Sequence, residues 1–497
     1  MIALLLQDLL KPLDLDLTQG DLNSEITGIH YSSRQVTPGG LFVAIPGYRV
    51  DGHAYIQDAI QRGAVAIVVL RPVEVPSHVA VVTVADSRKA LAELSATYYG
   101  YPSNQLRMIG VTGTNGKTTV TYLLEAIFRC AGVNTGLLGT IGMRIGTRAV
   151  AASHTTPESR DLQATLREML EAQVSHVLME VSSHSLALSR VAGVEYDTAV
   201  FTNLTQDHLD FHTDMDDYFR AKARLFSGLG QTRNKQNKTA VINGDDSYGK
   251  QLLALCSADV RQLTYGLDAP NDLFVSNIAG SIKGSSFTLH TPDGLIDVAI
   301  TTPGTHSIYN ALAAAGAALA EGVGLEDIRS GLGCAGVPGR MESVDEGQDF
   351  GVFVDYAHSP DSLDNVLRAC RSFTEGRLIV VFGCGGDRDR GKRPMMGDIA
   401  TRLADLAVLT SDNPRSEDPM AIIRDVMAGV NQSGEVDNIL IEPDRKAAIN
   451  LAVRAARAGD VVLLAGKGHE TYQVLPSGTV DFDDRFEARL ALKEVLK

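Results

Sequence analysis

The chain has 497 residues, 44% of them hydrophobic and 21% charged, and its 45 Lys and Arg against 60 Asp and Glu leave a net charge of −15. That balance argues against a general binder of nucleic acid or of anionic membrane, both of which require a positive face. Trp is absent and aromatics are only 6%, which disfavours single-strand binding by stacking, so any anion must be held by local backbone and a few placed cations.

At roughly 150 residues per domain, the length predicts about three domains. The first seventeen residues are apolar but lack a basic start and soon acquire acids, so they read as an amphipathic folded segment and not a signal peptide. No apolar run reaches membrane-spanning length. Strand patterns follow at 41–45, 64–70 and 79–84, with a helical pattern at 55–62. Tyr99-Gly-Tyr-Pro-Ser-Asn104 reads as a linker, and Gly331-Leu-Gly-Cys-Ala-Gly-Val-Pro-Gly339 as a second break. The expected division is 1–103, 104–335 and 336–497. In the last two sections short strands alternate with longer helical patterns, at 108–112, 176–179, 198–201, 352–354, 378–382, 406–410 and 461–465. This alternation predicts an α/β protein with parallel, helix-flanked sheets: a P-loop ATPase-like central domain, a Rossmann-like C-terminal domain and a smaller N-terminal α/β domain. Ligands gather beyond the carboxyl ends of such strands. The five cysteines form no CxxC pair, which fits a reducing cytoplasm and disfavours a disulfide framework or a Cys-based zinc site.

The strongest local signal is Gly110-Val-Thr-Gly-Thr-Asn-Gly-Lys-Thr-Thr119, between an apolar strand and a helical pattern at 120–130. Gly113, Thr114, Asn115 and Gly116 let the backbone curl so that several N–H groups face one anion at a helix N-terminus. Lys117 adds a full charge, worth about 4 kcal/mol at 4 Å in an effective dielectric near 20. Thr118, followed by Thr119, is placed to ligate Mg²⁺. The loop is shorter than the common GxxxxGK[ST] pattern. Glu180 ends an apolar run, the position of a second magnesium ligand. His208 and His212 admit two readings: a zinc pair on a helix, for which no third ligand is evident, or His208 with Glu180 around the phosphates of ATP.

Together these segments resemble the Mur ligases, ATP-dependent amide-forming enzymes of peptidoglycan synthesis. The resemblance covers all three sections and is carried by Gly113-Thr-Asn-Gly-Lys-Thr118, Glu180-Val-Ser-Ser-His184 and the run Thr202-Asn-Leu-Thr-Gln-Asp-His-Leu-Asp-Phe-His212. It continues through Gly304, His306, Asn310, Ala313 and Ala314, then Pro338-Gly-Arg-Met-Glu342 and Asp355-Tyr-Ala-His-Ser-Pro-Asp-Ser-Leu363. Ser307 stands where the family often has Asn, and Leu188 where it often has Gln. Gly383-Cys-Gly-Gly-Asp-Arg-Asp-Arg-Gly-Lys-Arg-Pro394 and Asp412-Asn-Pro-Arg415 resemble the subgroup that adds meso-diaminopimelate.

The resemblance implies an activity. ATP phosphorylates the D-Glu carboxylate of UDP-MurNAc-L-Ala-D-Glu, the amine of meso-diaminopimelate attacks the acyl phosphate, and a tetrahedral intermediate collapses to amide and phosphate. It implies catalytic roles for Lys117, Glu180, His208 and Lys222, the last as a carbamylated (N6-carboxylysine) residue that would turn a repelling cation into a carboxylate beside Mg²⁺. Read from the residues alone, Lys222 is a helix-surface lysine. The resemblance places ATP against Asn310, Arg340, Asp355 and His358, and the sugar nucleotide against Ser33, Thr155, Thr156, Ser182 and Arg190. Ser33 could equally be a simple cap. Around diaminopimelate it places Arg388, Asp412, Asn413, Arg415, Gly466 and Glu470. A planar guanidinium such as Arg415 suits the extra carboxylate that lysine lacks, and Asp412 and Glu470 suit ammonium groups. The expected setting is cytoplasmic and monomeric, with no nucleic acid and no stable membrane insertion, in cell-wall biogenesis, and so in cell shape and division.

Two other ligase readings, a folylpolyglutamate synthase and a lysine-adding Mur ligase, share the phosphate loop but have no need of Asp412-Asn-Pro-Arg415. A non-catalytic nucleotide switch would have no need of the paired metal-ligand candidates. A dinucleotide oxidoreductase would need a full GxGxxG, which Gly383-Cys-Gly-Gly386 lacks.

Overall fold

The computed structural model describes residues 4–13, 16–47, 50–150, 154–231, 234–430 and 437–496. The chain forms two compact units, one of residues 1–117, 132–204 and 208–263, the other of 118–131, 205–207 and 264–497.

In the first unit, a five-stranded sheet takes the order Asp16–Gln19, Ala80–Thr83, Ala64–Val69, Gly40–Val43, Gly28–His30. Its Val- and Ile-rich strands are covered on one face by the helix Ser87–Tyr98 and by Leu6, Leu9 and Leu10 of the initial segment, which is folded as expected from its amphipathic pattern. The eight-stranded sheet is parallel where chemistry is expected. Arg107–Thr112 lies between His176–Glu180 and Thr198–Phe201, and Thr239–Asn243 follows. A central strand buried on both faces must be apolar along its length, and Met108, Ile109 and Val111 are fully buried. The carboxyl ends of three parallel strands therefore deliver Gly113, Val181 and Thr202 to one edge.

In the second unit, an antiparallel meander (Phe274–Ser281, Gly284–Thr291, Gly294–Ile300) precedes the helices Thr305–Ala320 and Leu325–Cys334. Its antiparallel pairing departs from the parallel pattern expected of that section. A six-stranded sheet follows in the order Glu342–Ser343, Gly351–Asp355, Val461–Ala465, Leu378–Phe382, Leu406–Leu409, Ile439–Ile441. Its four central strands pair in parallel and bury almost every side chain between two helical layers.

Two local expectations change. Gly331 to Cys334 continue a helix, so the break begins at Ala335; a Cβ on Gly331 would lie 2.3 Å from the Ile127 Cα, so this glycine serves close helix packing and not a turn. The phosphate-loop helix begins at Lys117, three residues before its apolar pattern, because the loop itself forms its first turn.

Candidate active site

The phosphate loop is built by its neighbours. Gly113 has φ 147°, and a Cβ there would lie 1.8 Å from Thr202 Oγ1, so only glycine fits. Asn203 clamps the loop from the adjacent strand end: its carbonyl accepts from Thr114 N–H at 2.8 Å and its Oδ1 from Asn115 N–H at 3.0 Å. Thr202 Oγ1 donates to the Asn115 carbonyl at 2.6 Å. Gly116, at φ 88°, turns the chain into the helix, where Thr118 and Thr119 occupy the first turn. The Lys117 ammonium curls back to donate to the carbonyls of Gly113 and Thr114, at 2.9 and 2.8 Å.

Glu180, fully buried, ends its strand facing Thr140. Thr140 N–H donates to Oε1 at 2.9 Å and its hydroxyl to Oε2 at 3.0 Å. The same hydroxyl lies 3.0 Å from Thr155 Oγ1. Thr156 Oγ1 donates to the Glu180 carbonyl at 2.8 Å and lies 3.4 Å from Ser182 Oγ. Arg190 donates to the Thr156 carbonyl at 3.2 Å and pairs with Glu158, which also holds Arg88 at 3.0 Å. The fold thus collects Glu180, Thr155, Thr156, Ser182 and Arg190 into one contiguous cluster. Tyr31 joins its own strand end to this region by donating to Asp161 at 2.6 Å, while Ser33 sits buried in a short 3-10 turn nearby in sequence. Ser33 also hydrogen-bonds Asp58 and holds that carboxyl below its usual range.

His208 and His212 do not lie on a helix. The segment is a turn, His208 has φ 55°, and a spacing of four places no two ligands on one helical face. Instead His184 stacks on Phe211 at 4.1 Å, with His208 edge-on at 4.9 Å and His212 at 5.9 Å. Burial first, then these two rings, push the His184 imidazole down to about 4. Lys222 is not a surface lysine: it is 1% exposed, donates to the Gly113 carbonyl at 2.7 Å and lies 4.5 Å from the centre of the Tyr218 ring. The Tyr218 hydroxyl lies 3.1 Å from Thr114 Oγ1, so one helix supports the loop twice.

In the second unit, Arg340 stacks over Tyr356 at 4.9 Å. Its Nε is buried without a hydrogen-bond partner among the described residues. Asp355 accepts from the N–H groups of Met341 and Ala357 at 2.8 and 2.9 Å; burial raises its carboxyl and Arg340 opposes that. The His358 ring bonds the Tyr356 carbonyl at 2.7 Å. Asn310 is buried on the helix Thr305–Ala320, and Ser307, in place of the family's Asn, turns its hydroxyl to the Pro303 carbonyl at 2.9 Å.

A second polar cluster forms beyond the ends of the strands Leu406–Leu409 and Val461–Ala465. Asn413 Nδ2 donates to Glu470 Oε2 at 2.9 Å. Gly466 has φ 118°, and a Cβ there would lie 3.0 Å from Asp412 Oδ2. Asp412 is buried, which raises its carboxyl; Oδ1 makes no hydrogen bond to the described residues, its nearest cation being Lys467 at 3.9 Å. A buried carboxylate oxygen left without a donor is costly, which makes it a marker for a cationic ligand. Arg415, at φ 53°, donates to the Gly386 carbonyl at 2.8 Å. Arg388 donates to the Asp387 carbonyl at 3.1 Å, and both arginines flank Gly385. Beneath them the buried Arg393 ties Glu417 and Asp425 together and fixes both loops.

Sequence reading missed Thr140, Glu158, Tyr218 and Lys467. Gly139 and Thr140 carry no local pattern, since their contact with Glu180 spans 40 positions. Lys467, between the recognised Gly466 and Glu470, was within reach of the same motif.

Three family models match in order: the Mur ligase family catalytic domain over residues 25–99, the Mur ligase middle domain over 111–318 and the Mur ligase glutamate ligase domain over 339–468. The chain is 49% identical to the UDP-N-acetylmuramoyl-L-alanyl-D-glutamate--2,6-diaminopimelate ligase of Geobacillus thermodenitrificans, covering 95% of this chain and 96% of that one. It is 49% identical to the protein of the same name from Bacillus licheniformis, covering 96% of each. A solved structure of a ligase of that name superposes with a TM-score of 0.73 at 32% identity, over 100% of both chains. Mycobacterium tuberculosis folylpolyglutamate synthase complexed with ADP and AMPPCP shares the fold, with a TM-score of 0.59 at 19% identity over 76% of this chain and 92% of that one. With its three domains matched in order and its relatives aligned almost end to end, the chain belongs to the Mur ligase family.

Proposed function

We propose that this chain is an acid–amino-acid ligase that couples ATP hydrolysis to amide formation between meso-diaminopimelate and the D-Glu carboxylate of UDP-MurNAc-L-Ala-D-Glu, yielding the tripeptide nucleotide, ADP and phosphate. The observation that carries the reading is the cluster at the ends of two strands. Asp412 presents a buried carboxylate oxygen with no hydrogen-bond partner among the described residues, with Glu470 in the same cluster, and Arg415 and Arg388 flank the neighbouring loop. An amino-acid head carries one ammonium and one carboxylate, and such a cluster offers a counter-charge for each. Lysine has no second carboxylate to use the arginines.

The phosphate loop and Lys117 bind the triphosphate of ATP. Asn310, Asp355 and His358 take the nucleoside, and Arg340, whose buried Nε has no partner among the described residues, takes a phosphate. Thr155, Thr156, Ser182, Arg190 and Ser33 hold the sugar nucleotide. Glu180 and the Thr118 hydroxyl are hard oxygen donors that suit Mg²⁺, and His208 is the third candidate ligand; Mg²⁺ when bound would offset the repulsion between carboxylate and γ-phosphate. The unmodified Lys222 ammonium is a donor only and cannot ligate a cation, so its role there requires the carboxylated form, which its burial beside the loop would protect. The section boundaries that fit these roles are 1–103 for the nucleotide-sugar domain, 104–335 for the ATP domain and 336–497 for the amino-acid domain. Among the described residues no helix is long and apolar enough to cross a membrane, and a cytoplasmic setting fits both substrates and the free thiols.

Phosphate release with ATP, Mg²⁺ and UDP-MurNAc-L-Ala-D-Glu, comparing meso-diaminopimelate with L-lysine and confirming product mass, tests the reading. Release with diaminopimelate alone is expected. Release with lysine alone would keep the ligase and overturn the assignment of Arg415; release with neither would overturn the substrate reading.

A further inference from the structure

Lys467 is a fully enclosed charge in the amino-acid cluster, its side chain 0% exposed, and none of the roles above uses it. We infer that Lys467 is a positioning residue that sets both the charge and the geometry of the diaminopimelate site without touching the ligand. The inference rests on the diaminopimelate reading of that cluster.

The charge argument comes first. Asp412 and Glu470 are carboxylates converging in a buried place, where two like charges do not both stay ionised unaided. The Lys467 ammonium lies 3.0 Å from Glu470 Oε2 and 3.9 Å from Asp412 Oδ1. The adjacent Arg445–Asp484 pair, fully buried at 2.6 Å, is neutral by itself. Two carboxylates and one ammonium leave a net −1, matched to the one ammonium of an amino-acid head. Removing the lysine would leave −2, or force a carboxyl to take up a proton and lose its hold on that ammonium.

The geometric argument is independent. Asn413 Oδ1 accepts from Lys467 at 3.2 Å and from Val474 N–H at 2.9 Å. With its oxygen so engaged, the amide must turn its Nδ2 toward Glu470, which accepts at 2.9 Å. Glu470 Oε2 then receives two donors, Asn413 and Lys467, and Oε1 is the oxygen left for a ligand. One ammonium thereby fixes the rotamers of two ligand-facing side chains from behind. The backbone is shaped for this. Lys467 sits between Gly466 at φ 118° and Gly468 at φ 54°, and a Cβ on Gly468 would lie 2.6 Å from Tyr356 Cβ. That pair of left-handed turns carries the lysine inward while its neighbours stay at the strand end.

The test is steady-state kinetics of the full chain with each of the three substrates varied in turn, for wild type, Lys467→Met, Lys467→Gln and Lys467→Arg. Methionine keeps the unbranched stem and removes the charge, glutamine keeps a donor without charge, and arginine keeps the charge. Lys467→Met is expected to raise KM for meso-diaminopimelate at least about tenfold, equivalent to about 1.4 kcal/mol. KM for ATP and for the dipeptide nucleotide should hold within about twofold and kcat within about threefold, with Lys467→Arg closer to wild type than either neutral variant. An unchanged diaminopimelate KM in Lys467→Met would overturn the inference. So would a parallel loss in all three KM values and kcat that arginine does not relieve, or failure of both neutral variants to fold, since Lys467 would then serve the fold alone. Wild type inactive with diaminopimelate would overturn the substrate reading and this inference with it, whereas an active wild type beside an unmoved Lys467→Met overturns only this one.

Discussion

The phosphate loop and the amino-acid cluster hold charge by opposite means. From Gly113 to Lys117 five consecutive residues form one structure, whose anion-binding groups are mostly backbone N–H and a helix end. In the amino-acid cluster the pair Asn413 and Glu470 is separated by 57 positions and meets only because the strands Leu406–Leu409 and Val461–Ala465, with Leu378–Phe382 between them, end at the same edge of one sheet. The first uses main chain, whose donors are present whatever the side chains, in a curl that glycines permit and that Thr202 and Asn203 hold. The second uses side chains with full charges, which need internal counter-ions such as Lys467 and a rigid floor such as Arg445–Asp484 and Arg393–Glu417. A backbone device carries its donors in the chain itself; a buried charge cluster has every member depending on the others.

The contrast can be broken at several points. Lys117→Ala removes the one side-chain charge of the loop and is expected to lower kcat for phosphate release by about a thousandfold while the chain stays folded. A loss below tenfold would mean that the backbone alone suffices. Arg445→Met leaves Asp484 buried without its partner and should cost about 3–5 kcal/mol in denaturant unfolding; a loss under about 1 kcal/mol would mean that the cluster has no rigid floor. Arg415→Ala should raise KM for meso-diaminopimelate by about 10- to 100-fold, the worth of a charge-assisted hydrogen-bonded contact, with KM for ATP unmoved. Thr140→Val removes one hydroxyl from Glu180 and should lower kcat by about tenfold with little change in unfolding midpoint.

The smallest effect is on pH dependence. Burial first, then Arg340, holds the His469 imidazole near 4, below its ordinary value of 6.5. The native ring is neutral at pH 7, and as pH falls the unfolded chain takes up the proton first. Its contribution to stability is therefore complete above about 6.5 and is lost as pH falls toward 4. The denaturant midpoint should drop between pH 7 and pH 5, and His469→Gln should flatten that slope; an equal slope in the variant would assign the acid loss to other groups.

Legibility followed the range of the interactions. The strands Thr198–Phe201, Leu378–Phe382 and Val461–Ala465 match their expected limits, because a continuous apolar run bounded by polar residues has one reading in a buried parallel sheet. The meander over 274–300 departed from expectation because edge-on antiparallel pairing depends on its neighbours. His208 and His212 had a helical spacing but no helix, since His208 at φ 55° turns the chain. Lys222 reads as a surface residue until its helix is packed, when it proves to be buried under the phosphate loop.

The sequence by itself determined the phosphate loop, the alternation of strands and helices, and the order of the family segments, all of which depend on neighbours within about ten residues. Only the tertiary structure decided that Thr140 grips Glu180, that Glu158 joins Arg88 to Arg190, and that Lys467 stands behind Asn413 and Glu470. The physical reason is that a buried charge is stabilised by whichever opposite charges and donors share its low-dielectric surroundings. Those partners are chosen by which strand ends share one edge of a sheet, a property of the sheet and not of any one segment.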